Sequence, residues 1–482
     1  MKVLFVASEC APFVKTGGLA DVVGAVPRTL ATLGDDVRIL LPLYPALAER
    51  VSRPRTVMRF DDLLGGPARI RAVRDEELRL YLLDAPHLFD RPGNIYLDAD
   101  GRDWHDNHLR FGALNVAAAR MAAEGANRWR PQVVHAHDWQ AGLAPLLIRM
   151  RHTGATPATV LTIHNMAFQG LFPWQTRYLF DIPDHLFTPD TTEYWGKFGF
   201  LKTGLVFADA ITTVSPTYAR ELLTPEFGMG LEGVLASRGD AFSGIVNGID
   251  TQTWNPATDP ALQARYTSRS LDRRRTNRAA LASRFALSDA PDAPLFSVIS
   301  RLTTQKGMDL LLETIDDLVA RGGQLAVLGS GDHGLEKAFV DASRRHAGSV
   351  GAVIGYDERL AHLMQGGSDA LLVPSRFEPC GLTQLYALRY GTIPVVARTG
   401  GLADTVTDAD PAAIRKRQAN GIQFSPVHAD TLRQAIERVF TLFADKSTWR
   451  GLMRNAMHAP VSWDRSAPRY HALYQTITAR KS

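Results

Sequence analysis

VLFVASECAPFVKTGGLADVVGAVPRTLATLGDDVRILL, residues 3–41, decides the fold. Val3 to Ala7 is a short apolar run, Lys15 to Leu19 a glycine-bearing loop, Ala20 to Leu33 a stretch with helical apolar spacing, and Val37 to Leu41 a second apolar run after Gly34. That order is a βαβ unit. It recurs with a strand from Leu295 to Ser300, a loop from Arg301 to Gly307, a helix running through Ala320 and a strand from Gln324 to Leu328. Asp209 to Ser215 and Gly244 to Val246 read as late strands of the first domain, and Ala370 to Val373 and Ile393 to Ala397 as strands of the second. The fold class is therefore α/β, with two doubly wound Rossmann-like domains. The turn-rich stretch Asn247-Gly248-Ile249-Asp250 marks the crossing, which sets the expected domains at residues 1–246 and 247–458. Beyond Pro460, Trp463, Ala467, Tyr470 and Tyr474 recur at helical spacing, so residues 459–482 should form a helix packed on something already folded.

Size and composition agree. A chain of 482 residues exceeds the length at which a single core stops growing. Its 45% hydrophobic and 22% charged content belongs to a folded globular protein rather than a disordered or fibrous one. With 54 basic against 50 acidic residues and no block of like charge, nucleic acid is not the partner indicated. A pI near 9.0 still suits small anions such as nucleotides. The two cysteines, Cys10 and Cys380, lie far apart, which fits a reducing compartment. Ser8 and Glu9 end the opening apolar run too early for a secretory segment, and no apolar stretch reaches the ~20 residues that span a bilayer. A cytoplasmic protein without membrane contact is expected.

In doubly wound sheets ligands sit beyond the carboxyl ends of the strands, so the loops there hold the candidates. Lys15 precedes Thr16-Gly17-Gly18, and Lys306 precedes Gly307, each after a first strand and before a helix. A compact charge, close backbone approach and unpaired helix N–H groups suit a phosphate; solvated lysines on turns are the other reading. Gly329-Ser330-Gly331-Asp332-His333-Gly334 matches the dinucleotide fingerprint, with Asp357 near the ribose position, and keeps a nicotinamide-dependent oxidoreductase open. It follows the second strand of its domain, not the first. His135-Ala136-His137-Asp138 and His164-Asn165 end two further strands, where they serve either substrate contacts or backbone satisfaction. Asp98-Ala99-Asp100 and Asp408-Ala409-Asp410 have the Asp-x-Asp form of some metal-dependent sugar transferases, yet lie in polar turns. Val373 to Gln384 leads a strand through Pro374, Glu378, Cys380 and Gly381 into a helix. Glu378 there is placed to accept sugar hydroxyls, or simply to complement a helix dipole.

The ordered set Lys15-Thr16-Gly17-Gly18-Leu19-Ala20-Asp21, His135-Ala136-His137-Asp138-Trp139, Arg301-Leu302 with Gln305-Lys306-Gly307, and Phe377-Glu378-Pro379-Cys380-Gly381-Leu382-Thr383-Gln384 closely resembles bacterial glycogen synthases and plant starch synthases. The resemblance spans nearly the whole chain. It implies a GT-B fold, two Rossmann-like domains facing across a cleft, with the C-terminal helix returning to the first domain. It also implies retaining transfer of glucose from ADP-glucose to the non-reducing end of an α-1,4-glucan, glycogen or a maltooligosaccharide, with no cofactor and no metal. By the same resemblance the N-terminal domain serves the glucan and the C-terminal domain the nucleotide sugar. Lys15 and the Gly17 and Gly18 amides should approach the donor phosphate, and Arg301 and Lys306 should neutralise the pyrophosphate. Glu378, His164, Asp138 and Asn247 should hold glucose, and Tyr356 should stack on adenine. The backbone of Leu382 and Thr383 should meet the distal phosphate, with Asp21, Asn165, Cys380 and Gly381 in the substrate shell. Many relatives in the wider superfamily carry a second glutamate eight positions after the first; Tyr386 stands there. A non-catalytic glucan-binding protein on this scaffold is the remaining alternative.

Overall fold

An apolar run without polar alternation must be covered on both faces. The strand Lys2–Val6 meets that condition, buried from Val3 onward, and Val133–His137 is buried throughout although it carries two histidines. The computed structural model describes residues 1–74, 78–151, 154 and 156–481. They divide into two units, Met1–Asn247 with Trp463–Ser482, and Gly248–Ser462.

Among the described residues, the first unit holds a nine-stranded sheet in the order Phe242–Gly244, Ala210–Thr213, Ala158–Ile163, Val133–His137, Lys2–Val6, Asp36–Pro42, Arg79–Asp84, Ala68–Arg74 and Arg55–Phe60. The first seven run parallel, and the last two add antiparallel. Helix Gly18–Thr32 covers the sheet with Leu19, Val22, Val23, Val26 and Leu30, one stripe at spacings of three and four. The second unit holds a parallel sheet in the order Val350–Ile354, Gln324–Gly329, Leu295–Ile299, Ala370–Val373, Ile393–Ala397 and Ile422–Phe424. Both orders reverse direction beside their first strand, as doubly wound sheets do. Among the described residues no helix is long and apolar enough to cross a membrane.

Three expectations shift. The strand expected over 244–246 spans Phe242–Gly244. The helix expected to run through Ala320 is broken into Met308–Leu312 and Ile315–Ala320, because buried Thr314 turns its hydroxyl back onto the Leu311 carbonyl at 2.8 Å. Residues 459–462 stay with the second unit: the Ile249 N–H donates to the Val461 carbonyl at 2.8 Å, and both side chains lie in that unit's core. The terminal segment changes unit at Trp463.

From there helix Ala467–Ala479 packs on the first unit. Tyr470 and Tyr474 are buried, the Tyr474 hydroxyl lies 2.7 Å from His135 Nδ1, and Arg469 donates to the Gly244 carbonyl at 3.0 Å. In the second unit Trp254 is sandwiched between His362 and Tyr386, with ring centroids 3.8 and 3.7 Å away. Tyr386 is thus a core residue.

Candidate active site

In the first unit the site grows from three adjacent parallel strand ends, Lys2–Val6, Val133–His137 and Ala158–Ile163. Past the first of these Glu9 is buried, and its carboxylate organises the loop. Oε2 accepts the N–H groups of Thr16 at 2.5 Å and Gly17 at 3.1 Å, while Oε1 accepts the Thr16 hydroxyl at 2.6 Å and the Tyr96 hydroxyl at 2.5 Å. This corrects one expectation: the Gly17 amide is committed to Glu9 and cannot also face a phosphate. Helix Gly18–Thr32 has no side-chain cap, so no side chain occupies its first amides. Lys15 Nζ stands 2.7 Å from Asp21 Oδ1 in that first turn.

Asp138 follows the second strand end with φ +53° and is buried. Its Oδ1 accepts the backbone N–H of His164 at 2.6 Å and of Asn165 at 3.5 Å, which fixes the turn after the third strand against the second. Burial raises the Asp138 carboxyl to about 7, against an ordinary 3.8, although the two backbone N–H groups pull the other way. Its contribution to stability is fully present below about pH 4 and is lost as pH rises through 7. Asp138→Asn keeps an acceptor and removes the buried charge. It is expected to unfold at higher temperature than the wild type at pH 8, by an amount on the order of 2–4 kcal/mol, with the gap closing near pH 4. A gap independent of pH in thermal melts would remove the titration from Asp138.

His164 is buried and its Nε2 meets His137 Nδ1 at 3.0 Å. Burial lowers His164 and His135 to about 3 each and His137 well below its ordinary value, so all three rings are neutral at pH 7. The Asn165 side-chain oxygen accepts the Ala167 N–H at 3.0 Å. Asn247 closes the unit; its Oδ1 is buried with no hydrogen-bond partner among the described residues.

In the second unit Arg301, Lys306, Glu378, Gly381, Leu382 and Thr383 line one cavity of about 180 Å³ with Ser375. Lys306 and Glu378, assigned separately to pyrophosphate and to sugar, form an ion pair of 2.6 Å between largely buried side chains. Ser375 donates to the same Glu378 oxygen at 3.0 Å. Helix Thr383–Tyr390 opens over this cavity without a side-chain cap. Cys380 is buried beneath, and Gln384 Nε2 ties the Cys380 and Gly381 carbonyls at 2.9 and 3.0 Å. Tyr356 projects from the loop before helix Glu358–Gly367 with 77% of its surface exposed, a face large enough for a base. Gly307 sits at φ +70°, and a Cβ there would lie 2.0 Å from the Pro374 carbonyl oxygen. Gly307→Ala should therefore cost about 2 kcal/mol or more in denaturant unfolding and displace Lys306; an unchanged midpoint would contradict this.

The dinucleotide-like loop has another purpose. A Cβ on Gly329 or Gly331 would collide with the Ser300 or Leu302 carbonyl, at 1.9 and 2.4 Å, so these glycines let two loops of the protein pack together. Asp332 caps the following helix through Gly334 and Leu335, occupying the amides a pyrophosphate would need. Asp357 caps the next helix at Leu360. Asp98 closes its own turn on the Asp100 and Arg102 N–H groups, Asp408 pairs with Arg438 at 3.0 Å, and Asp410 caps Pro411–Arg415.

Sequence reading missed Glu9 and Ser375 as parts of the site. Glu9 carried a signal: a carboxylate just past a buried strand's carboxyl end, where the loop crevice lies.

Comparison with known proteins places the chain in a family. Residues 2–237 match the family described as starch synthase catalytic domain, and residues 282–446 match glycosyl transferases group 1. The chain is 61% identical to the glycogen synthase of Roseobacter denitrificans over 99% of both chains, and 55% identical to that of Paracoccus denitrificans over 99% of this chain and all of the other. The chain belongs to the glycogen synthase family. The solved catalytic domain of starch synthase IV from Arabidopsis thaliana, bound to ADP and acarbose, matches this glycogen synthase family member with a TM-score of 0.88 at 32% identity over 99% of each chain. The fold is GT-B. Sucrose-phosphate synthase from Thermosynechococcus elongatus shares that fold with a TM-score of 0.61 at 17% identity over 99% of each chain.

Proposed function

We propose that the chain transfers glucose from ADP-glucose to the non-reducing end of an α-1,4-glucan, glycogen or a maltooligosaccharide, with retention at the anomeric carbon and release of ADP. The observation that carries this is the cavity in which an uncapped helix start, Arg301 and the Lys306–Glu378 pair converge. At about 180 Å³ it is smaller than the ~300–1,000 Å³ that encloses a whole drug-sized ligand, so it takes the diphosphate end of the donor. Arg301 and Lys306 neutralise the pyrophosphate, and the Leu382 and Thr383 amides bind its distal phosphate. Tyr356 stacks on adenine. Glu378, Asp138, His164 and Asn247 hold the glucose, with Asn165 and Asp21 beside it, and Lys15 and the Gly18 amide add positive potential.

The two carboxylates assigned to the glucose make poor nucleophiles. Asp138 Oδ1 is held by backbone N–H groups in a site that favours the neutral acid, and Glu378 Oε2 is held by Lys306 and Ser375. A same-face route follows. The bond from C1 to the phosphate oxygen breaks as the acceptor O4 bonds to C1, and the O4 proton passes to the departing phosphate. Charge growing on that phosphate is met by preplaced cations and amides, the source of the rate. Presence of Arg301, Lys306 and Glu378 disfavours a binding-only role. The small cysteine count and a charged-nucleotide donor fit a cytoplasmic enzyme. ADP release that requires added glucan supports the proposal; ADP release at the same rate without glucan makes the chain a hydrolase instead.

A further inference from the structure

Two histidines end the strand Val133–His137, and the first has no capacity left over. His135 places Nδ1 2.7 Å from the Tyr474 hydroxyl and Nε2 2.6 Å from Thr162 Oγ1. His137 stacks on it with centroids 4.2 Å apart and packs against Phe5 at 4.9 Å. Its Nδ1 lies 3.0 Å from His164 Nε2, while its own Nε2 is buried with no hydrogen-bond partner among the described residues.

A hydrogen bond between two neutral imidazoles needs one N–H and one lone pair. Were His164 the donor, the only ring proton of His137 would sit on the buried Nε2, facing no acceptor. With His137 Nδ1–H as donor, the buried Nε2 is a bare lone pair. An orphaned buried N–H is the costlier of the two. Burial, which holds both rings neutral, leaves no further proton to satisfy the other atom.

We propose that His137 is a positioning residue: its Nδ1–H fixes His164 in the tautomer that carries the proton on Nδ1. His164 then offers an N–H, and no lone pair, at the edge turned away from His137. Under the glucosyl-transfer reading, on which the functional half of this inference rests, that N–H donates to a sugar oxygen and does not accept from a sugar hydroxyl. Phe5 and His135 hold the ring that sets this choice.

The test is the ring ¹⁵N spectrum of the full chain labelled at histidine, with His164→Ala used to assign the His164 signals. The expected result is a protonated Nδ1 and a bare Nε2 on His164. A proton on Nε2 in the wild type overturns the proposal whatever any variant does. Kinetics give the second arm. His137→Leu should lower kcat about tenfold with a smaller change in KM, and His137→Asn, whose amide nitrogen replaces Nδ1, should recover most of it. In a His164→Ala background His137→Leu should have little further effect; a full additive loss there overturns the positioning role. Failure of the glucosyl-transfer reading shows separately, as wild-type protein that makes no glucan, and leaves the ¹⁵N result to decide the tautomer.

Discussion

Alanine at Lys306 is expected to lower kcat by roughly two to three orders of magnitude, with a much smaller rise in KM for ADP-glucose. Two effects act together. The ammonium group lines the cavity that takes the leaving diphosphate, so its charge counts most when the bond to C1 has lengthened. It also sits 2.6 Å from Glu378, whose side chain is only 10% exposed, and truncation strands that carboxylate. Lys306→Arg keeps the charge but exchanges a compact ammonium for a broad planar fork, so only partial recovery is expected. Steady-state kinetics beside thermal melts decide the matter. A loss confined to KM would remove Lys306 from the transition state.

Glu9→Ala should be the most damaging change in the first unit. One carboxylate accepts four hydrogen bonds, two from backbone N–H groups and two from hydroxyls, at 2.5 to 3.1 Å. Each buried donor left without a partner costs about 1–3 kcal/mol, partly relieved by water, so a net loss near 3 kcal/mol is expected. The loop that carries Lys15 and Gly18 would lose its shape, and glucan synthesis should fall at least tenfold. Glu9→Gln, which keeps the volume but converts one oxygen into a donor, should fall between. Wild-type melting and kinetics in Glu9→Ala would show that the loop holds itself.

These residues also mark what the sequence conveyed and what it hid. The central strands were legible because both faces are buried, so Val3–Val6 and Ala370–Val373 read as unbroken apolar runs at the right places. The helix through Ala320 was misread because a buried threonine hydroxyl, not a glycine or proline, breaks it. Loops beyond strand ends were legible as places, and the ordered motifs within them as a family. Partners were not. Lys306 and Glu378 are 72 residues apart, and only the adjacency of strands Leu295–Ile299 and Ala370–Val373 joins them. The Gly17 amide was credited to a ligand because its real acceptor, Glu9, lies across the loop. Gly329-x-Gly331 resembles a dinucleotide loop for a related reason: glycine is needed wherever backbone approaches closely, and here the approaching chain is the protein's own.

Lys15→Ala belongs with the smaller effects. Removing one charge-assisted contact should cost donor use on the order of 1.5–3 kcal/mol, read from kcat/KM for ADP-glucose, and unchanged kinetics would take Lys15 out of the site.

Retaining glucosyl transfer can be followed by proton NMR of the anomeric region during reaction of ADP-glucose with maltoheptaose. New α-1,4 anomeric signals growing in step with ADP are expected, with no β-linked product and little free glucose. A β-configured linkage, or free glucose appearing in place of a longer chain, would contradict it.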